Sequence, residues 1–226
     1  MESYALQNFP PAHSAIHVAL FHNVTNAPQI RQRLIKASQY PPGEEGDKAR
    51  ADVDFGFVEG DLLVSKEHLL SAVLATLLYA YPSTSPAPTD PPSLSSPDIS
   101  SLSLNSEQDR VPKTRSHNLH SEILLLLSPN NNISDSIRRH GLSEKTTRLA
   151  VVKFGKRGQS SEEIWKAMED VVEGELVGLE RVGEGVDWAK VDKVYKLSEL
   201  NALKTPDVIE KKKAAVVSTV AVKNVI

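Results

Sequence analysis

Apolar and polar positions fall in blocks along the chain, and the period of each block predicts an element. Ile16-His-Val-Ala-Leu-Phe21 reads as a strand. Asn26 is read as the N-cap of a helix with Pro28 in its first turn, the pair Ile30/Leu34 on its apolar face, and an end near Ser38. From Val53 to Val64, Phe55, Phe57, Leu62 and Val64 flank Gly60-Asp61, which is a hairpin signal. Ser65 then opens a helix with Leu70, Val73, Leu74, Leu77, Leu78 and Tyr81 at i, i+3, i+4, i+7, i+8 and i+11, one buried stripe.

The second half continues in the same manner. Glu122 to Ser128, leucine-rich and without alternation, reads as a strand in mid-sheet. Ser128-Pro-Asn-Asn-Asn132 is a turn, and Ile133 to His140 a short helix with Asp135 in its first turn and Gly141 just past its end. Leu149 to Phe154 is another buried strand. Ser160-Ser-Glu-Glu163 has the form of a capping box, opening a helix with Ile164, Trp165, Met168, Val171 and Val172 on one face. That stripe is expected to pack on the sheet. Asp187 to Leu197 reads as helix, and so does 206–213. Ala214 to Val222 fits helix and strand equally well. Strands and helices in this order predict one α+β domain over 1–226, a mixed, mainly antiparallel sheet flanked by helices.

Composition changes this picture at one place. Seven of the fourteen prolines and nine serines lie in 82–112, with no aromatic residue. Such a segment cannot bury enough surface to offset the entropy of ordering, so it is read as a disordered insertion. Strand patterns on both of its sides make it an insertion within one domain rather than a linker between two. The segment 206–226 is set apart as a partner-binding tail.

Charge and missing residue types then exclude functions. Lys and Arg number 26 against 29 Asp and Glu, so the net charge is −3 and bulk charge does not drive nucleic-acid binding. There is no cysteine, which removes disulfides, thiolate metal sites and cysteine nucleophiles. The start of the chain has neither a basic nor a long apolar stretch, so no secretory signal is expected. The longest solid apolar run, Ile123 to Leu127, is far short of the roughly 20 residues that span a bilayer, so a soluble intracellular protein is expected.

No catalytic or cofactor motif stands out. Gly155-Lys-Arg-Gly158 lacks the spacing of a phosphate loop. His117 and His120 with Glu122 are a weak metal candidate, since residues three apart on a strand face opposite sides. The chemistry-bearing stretch is Lys113-Thr-Arg-Ser-His-Asn-Leu-His120, which sets two cations and several hydrogen-bonding side chains before a buried element. Its ordinary reading is a solvated lead-in. Its functional reading is a phosphate-contacting edge of Lys113 and Arg115, with Asn118 and His120 touching base or sugar. Arg138 and Arg139 extend that edge if their helix packs beside it. Glu122, Ser128 and Asn132 are assigned to structure. A small hydrolase or transferase built on 113–122 is the alternative.

The ordered run from Thr114-Arg115 through Asn118-Leu119, Glu122-Ile-Leu-Leu-Leu-Leu-Ser128-Pro129 and Asn132-Ile-Ser-Asp135 to Gly141 resembles the PRPK-binding protein family in its fungal form. Ala19-Leu-Phe-His-Asn-Val24, Leu69-Leu-Ser-Ala72 and Lys193-Val-Tyr195-Lys196-Leu197-Ser198 support the resemblance. His140 departs from it, standing where that family usually carries an aromatic ring. The resemblance implies a small non-catalytic subunit of the KEOPS (EKC) complex, without cofactor. It implies a partner kinase/ATPase that the subunit binds and stimulates, and through it the transferase that makes threonylcarbamoyl-adenosine on tRNA. It further implies tRNA recruitment, a telomere-maintenance role, and residence in nucleus and cytoplasm. Kinase contact is expected at Val194, Tyr195 and Leu197 and at the terminal Val225 and Ile226. The helix at 66–81 and the one around 133–140 are the next candidates.

Overall fold

In the computed structural model, residues 1–82, 110–156, 158–202 and 205–223 are described. Most of the proline/serine tract therefore lies outside the described residues. The strands are β1 (Glu2–Ala5), β2 (Ala15–His22), β3 (Gly56–Glu59), β4 (Leu149–Gly155) and β5 (Glu175–Val177). The helices are α1 (Ala27–Gln39), α2 (Glu44–Ala51), α3 (Lys66–Ala80), α4 (Leu119–Leu127), α5 (Ile133–His140), α6 (Ser161–Val171), α7 (Trp188–Tyr195) and α8 (Val208–Val222).

Every strand pair is antiparallel. β2 and β4 form the centre, with Ala15 opposite Gly155 and Phe21 opposite Leu149. β3 flanks β4, while β1 and β5 pair with β2. Period-two alternation sorts the side chains onto two faces. Ile16, Val18, Leu20, Ala150, Val152 and Phe154 point into a core shared with α3, α4, α7 and α8. Ala19, Phe21, Leu149 and Val151 point into a second core closed by α1 and α6. The predicted α+β domain is this three-layer arrangement.

β1, α2 and β5 have no counterpart in the sequence reading, and two further stretches differ from it. The run 122–127 is helix, not strand, and Ser128 is its extended C-cap. Asn118 caps it by accepting a hydrogen bond from the Ser121 N–H at 2.8 Å. Leucine favours helix, and Ile123 is its one β-branched residue. The run has no polar stripe because α3, α5 and the sheet enclose it on all sides, a burial that masks helical period. The expected hairpin at 53–64 is a single strand. β3 pairs with distant β4, and residues 60–62 form a 3-10 turn leading to α3. The open choice for 214–222 falls to helix, as the body of α8.

Other local signals act differently from their usual roles. Asn26 stands at the N-cap of α1, but its side chain makes no cap bond there. Its side chain donates to the Val171 carbonyl at 3.0 Å and accepts from the Glu173 N–H at 3.0 Å, tying α1 to the end of α6. Ser160 makes no side-chain cap bond. Gly141 ends α5 in extended backbone, and a Cβ there would meet the Ile137 carbonyl oxygen at 2.5 Å.

Candidate partner-binding surfaces

The basic stretch begins where the tract ends. The Lys113 N–H donates to the Ala80 carbonyl at 3.1 Å, and the Arg110 guanidinium lies over the Tyr81 ring, 5.8 Å from its centroid, while donating to the Pro82 carbonyl at 2.6 Å. The two margins of the tract are thus held together.

A buried carboxylate fixes the loop leading into α4. Glu122 is fully enclosed on α4 and accepts from the Arg115 Nε at 2.8 Å, the Arg115 N–H at 3.0 Å, the Ser116 N–H at 3.1 Å and the Ser116 hydroxyl at 2.9 Å. The Arg115 guanidinium also stacks over Tyr79 at 4.1 Å. Removing either charge of a buried pair leaves the other uncompensated, so this loop has a fixed shape. Glu122 is structural as expected, but as a loop anchor on a helix rather than a strand entry.

His120 has turned inward. Its Nδ1 meets Asp54 at 3.1 Å and its ring stacks on Phe154 at 5.2 Å. Burial alone raises the Asp54 carboxyl, but His120 and Lys153 outweigh it and hold the group well below the usual carboxylate range. His120 and Glu122 thus answer to different partners, while His117 is exposed. Among the described residues no three His, Asp or Glu side chains converge on a metal-sized site.

Arg138 and Arg139 both pair with Asp135, Arg139 at 2.7 Å. Asn132 caps α5 by accepting from the Asp135 N–H at 3.0 Å, and Asn130 donates to the Asp135 carboxylate at 2.7 Å. Lys223, which the sequence reading did not single out, sits beside this knot. Its ammonium donates to the carbonyls of Leu125, Ser128 and Asn130, the last two at 2.5 and 2.7 Å. Burial pulls its pKa down to about 8, with the Arg115 charge acting in the same direction. Its only sequence signal was a lysine one residue past an apolar helix.

Of the expected nucleic-acid residues, Lys113 is exposed and Arg138 keeps 73% of its side chain exposed. Arg115 and Arg139 line the seam around Lys223 in ion pairs. Asn118 and His120 are engaged within the fold.

Residues 21–224 match the family model described as Kinase binding protein CGI-121. This chain belongs to that family. It is 71% identical, over all of both chains, to the EKC/KEOPS complex subunit CGI121 of Cryptococcus neoformans var. neoformans serotype D (strain JEC21). It is 32% identical to the protein so named from Aspergillus terreus, over 83% of this chain and 76% of the relative. The counterpart of Gibberella zeae is 29% identical, over 94% of this chain and 89% of the relative.

A CGI-121 chain binds a kinase, so its leftover apolar surface matters. Val194, Tyr195 and Leu197 do not provide it, which corrects the sequence reading. They are 8%, 8% and 9% exposed, inside the larger core. The Tyr195 hydroxyl donates to the Leu127 carbonyl at 2.5 Å and meets His68 Nε2 at 3.0 Å. Val225 and Ile226 lie outside the described residues. Met168 and Val172 pack on the sheet as predicted, whereas Trp165 is only partly buried. The exposed apolar side chains of the α3–α8 pair are Leu74 and Leu78 on α3, at 40% and 62%, and Ile209 and Val222 on α8. The stripe read as buried on α3 is thus buried only in part: with half-buried Leu70, Leu74 and Leu78 form a line at i, i+4 and i+8 on its outside.

Proposed function

We propose that this chain is the CGI-121 subunit of an EKC/KEOPS assembly. In that role it docks on the assembly's kinase/ATPase, stimulates it, and helps bring tRNA to the transferase that makes threonylcarbamoyl-adenosine. The observation that carries this reading is the 71% identity, end to end, with a protein named as an EKC/KEOPS complex subunit. The family's kinase-binding description supports the first step. The subunit itself is non-catalytic and works through surfaces.

For the kinase, the outer stripe of α3 is the best-supported docking face, with the last turn of α8 beside it. Leu74 and Leu78 carry no packing load that would explain their exposure. A Leu74→Asp/Leu78→Asp variant should keep its thermal midpoint and bind the purified kinase at least tenfold more weakly, about 1.4 kcal/mol. Wild-type affinity in a titration calorimeter would place the interface elsewhere.

For tRNA, the cationic seam from Lys113 to Arg138 is the proposed contact. Arg115 is a poor residue to test, because its loss also strands Glu122 in the interior. Lys113→Ala/Arg138→Ala removes only exposed charge. Each lost phosphate contact with single-stranded RNA should flatten the plot of log affinity against log salt by about 0.7. An unchanged slope with unchanged affinity would end the tRNA half of the proposal.

A further inference from the structure

β1 and β5 follow one another along the same side of β2, because β4 occupies the other side. No strand among the described residues pairs with their outer edge. Such an edge is a template for an extended segment. Beside it, α6 and β5 frame an open depression of about 660 Å³. Register explains its apolar floor. Leu176 stands opposite Phe21, so both side chains lie on the α6 side of the sheet, but Leu176 at the margin stays 40% exposed. Met1 and Trp165 complete the floor. The Trp165 Nε1 is shut from solvent and has no acceptor among the described residues, an arrangement that buried indoles normally avoid.

The rim has a definite sign. Glu162, Glu169 and Asp170 line it against one cationic side chain, Lys166, and the Met1 ammonium. Exposed Glu173 and Glu175 carry the negative charge on to the strand edge. A phosphate chain would be repelled here.

We propose that this edge is a second docking site, and that its occupant is an extended basic segment of another protein in which lysine or arginine alternates with apolar residues. Such a strand adds to the β1/β5 edge through its backbone. Its apolar side chains enter the depression over Met1, Trp165 and Leu176, its cations project from the opposite face towards Glu175, and the field of Glu162, Glu169 and Asp170 adds to the attraction.

The probe is an N-acetylated, fluorescein-labelled heptapeptide, Lys-Leu-Lys-Val-Lys-Leu-Lys, titrated with the full chain by anisotropy, with its charge-inverted counterpart, Glu-Leu-Glu-Val-Glu-Leu-Glu, alongside. We expect saturable binding of the basic peptide only. Leu176→Asp should weaken it at least tenfold, and Glu169→Lys/Asp170→Lys should weaken it as much and admit the acidic peptide. All three positions are exposed, so the variants should keep the wild-type thermal midpoint, measured as a control. Absence of binding, equal binding of both peptides, or wild-type affinity in the folded Glu169→Lys/Asp170→Lys variant would overturn the proposal. Dimerisation of the free chain that Leu176→Asp abolishes would overturn it as well, by making a second copy the occupant.

Discussion

His68 and His140 are both fully enclosed, yet only one of them is satisfied. The Val64 N–H donates to His68 Nδ1 at 3.4 Å, which puts the imidazole proton on Nε2, facing the Tyr195 hydroxyl at 3.0 Å. His140 has no hydrogen-bond partner for either ring nitrogen among the described residues. Burial pulls both histidines down to about 3, and for His140 the Arg139 and Lys223 charges add to the effect. Their pKa is lower in the folded than in the unfolded chain, so protons favour unfolding. Their contribution to stability is complete above about pH 6.5 and is lost as pH falls towards 3, at about 1.4 kcal/mol per proton per pH unit. Chemical denaturation between pH 7 and 4.5 should show that loss, and His140→Phe should remove close to half of these two histidines' share. A phenyl ring in that place leaves no unpaired nitrogen, so the variant should match or exceed wild-type stability at pH 7. An unchanged pH slope would show that His140 is not enclosed in solution. The sequence marked His140 only as a departure from an aromatic position; that its nitrogens go unpaired depends on how α5 packs, which no local pattern encodes.

α8 is integral to the fold rather than an appendage. Lys212, Val216 and Val220, four apart, are its buried face. Lys212, 5% exposed at its side chain, pairs with Asp192 of α7 at 2.7 Å and lies 5.7 Å from the Trp188 ring centroid. At the other end Lys223 binds the Leu125 carbonyl of α4 and those of Ser128 and Asn130 just past it. Truncation after Thr219 removes both Val220 and Lys223 and should cost about 3 kcal/mol in urea unfolding, combining one buried valine with carbonyls left unpaired. A truncated protein of wild-type stability would show that α8 ends before those contacts. The amphipathic and capped helices α1, α3, α5, α6 and α7 were legible in sequence because each meets solvent on one side and so displays a period. α4 was not, since total enclosure turns a helix into a plain leucine run. The second strand of the supposed hairpin was misread because β3 finds its partner some ninety residues away, and pairing at that range leaves no local trace.

For the molecule as a whole, a net charge of −3 hides a separation of charge. Cations gather around the end of α8, and carboxylates along α6 and β5. The sequence displayed each basic residue but not this grouping, which is made by the packing of α4, α5 and α8. Likewise the family resemblance pointed to Val194 and Tyr195, whereas the core of the domain encloses them. The proline/serine tract, set apart by composition, lies mostly outside the described residues, and the fold shows its margins clamped at Ala80 and Lys113. Replacing 83–109 by four Gly/Ser residues should therefore leave calorimetric stability unchanged or raised by up to about 1.7 kcal/mol, the closure entropy of the shorter loop. A loss of more than about 2 kcal/mol would mean that the tract supports the core.

That clamp also separates the continuity of the chain from the integrity of the fold. β1, β2, β3 and α1 to α3 precede it, whereas β4, β5 and α4 to α8 come after it. Each side holds part of one sheet: without β4, β3 has no partner and β2 keeps only β1, and α3 loses its packing without α4 and α8. Two separately synthesised pieces, 1–82 and 110–223, are therefore complementary halves of a split protein, each unable to complete a core alone. A protease that cuts once between them would leave a two-chain molecule still assembled, its break invisible until a denaturing gel separates the halves.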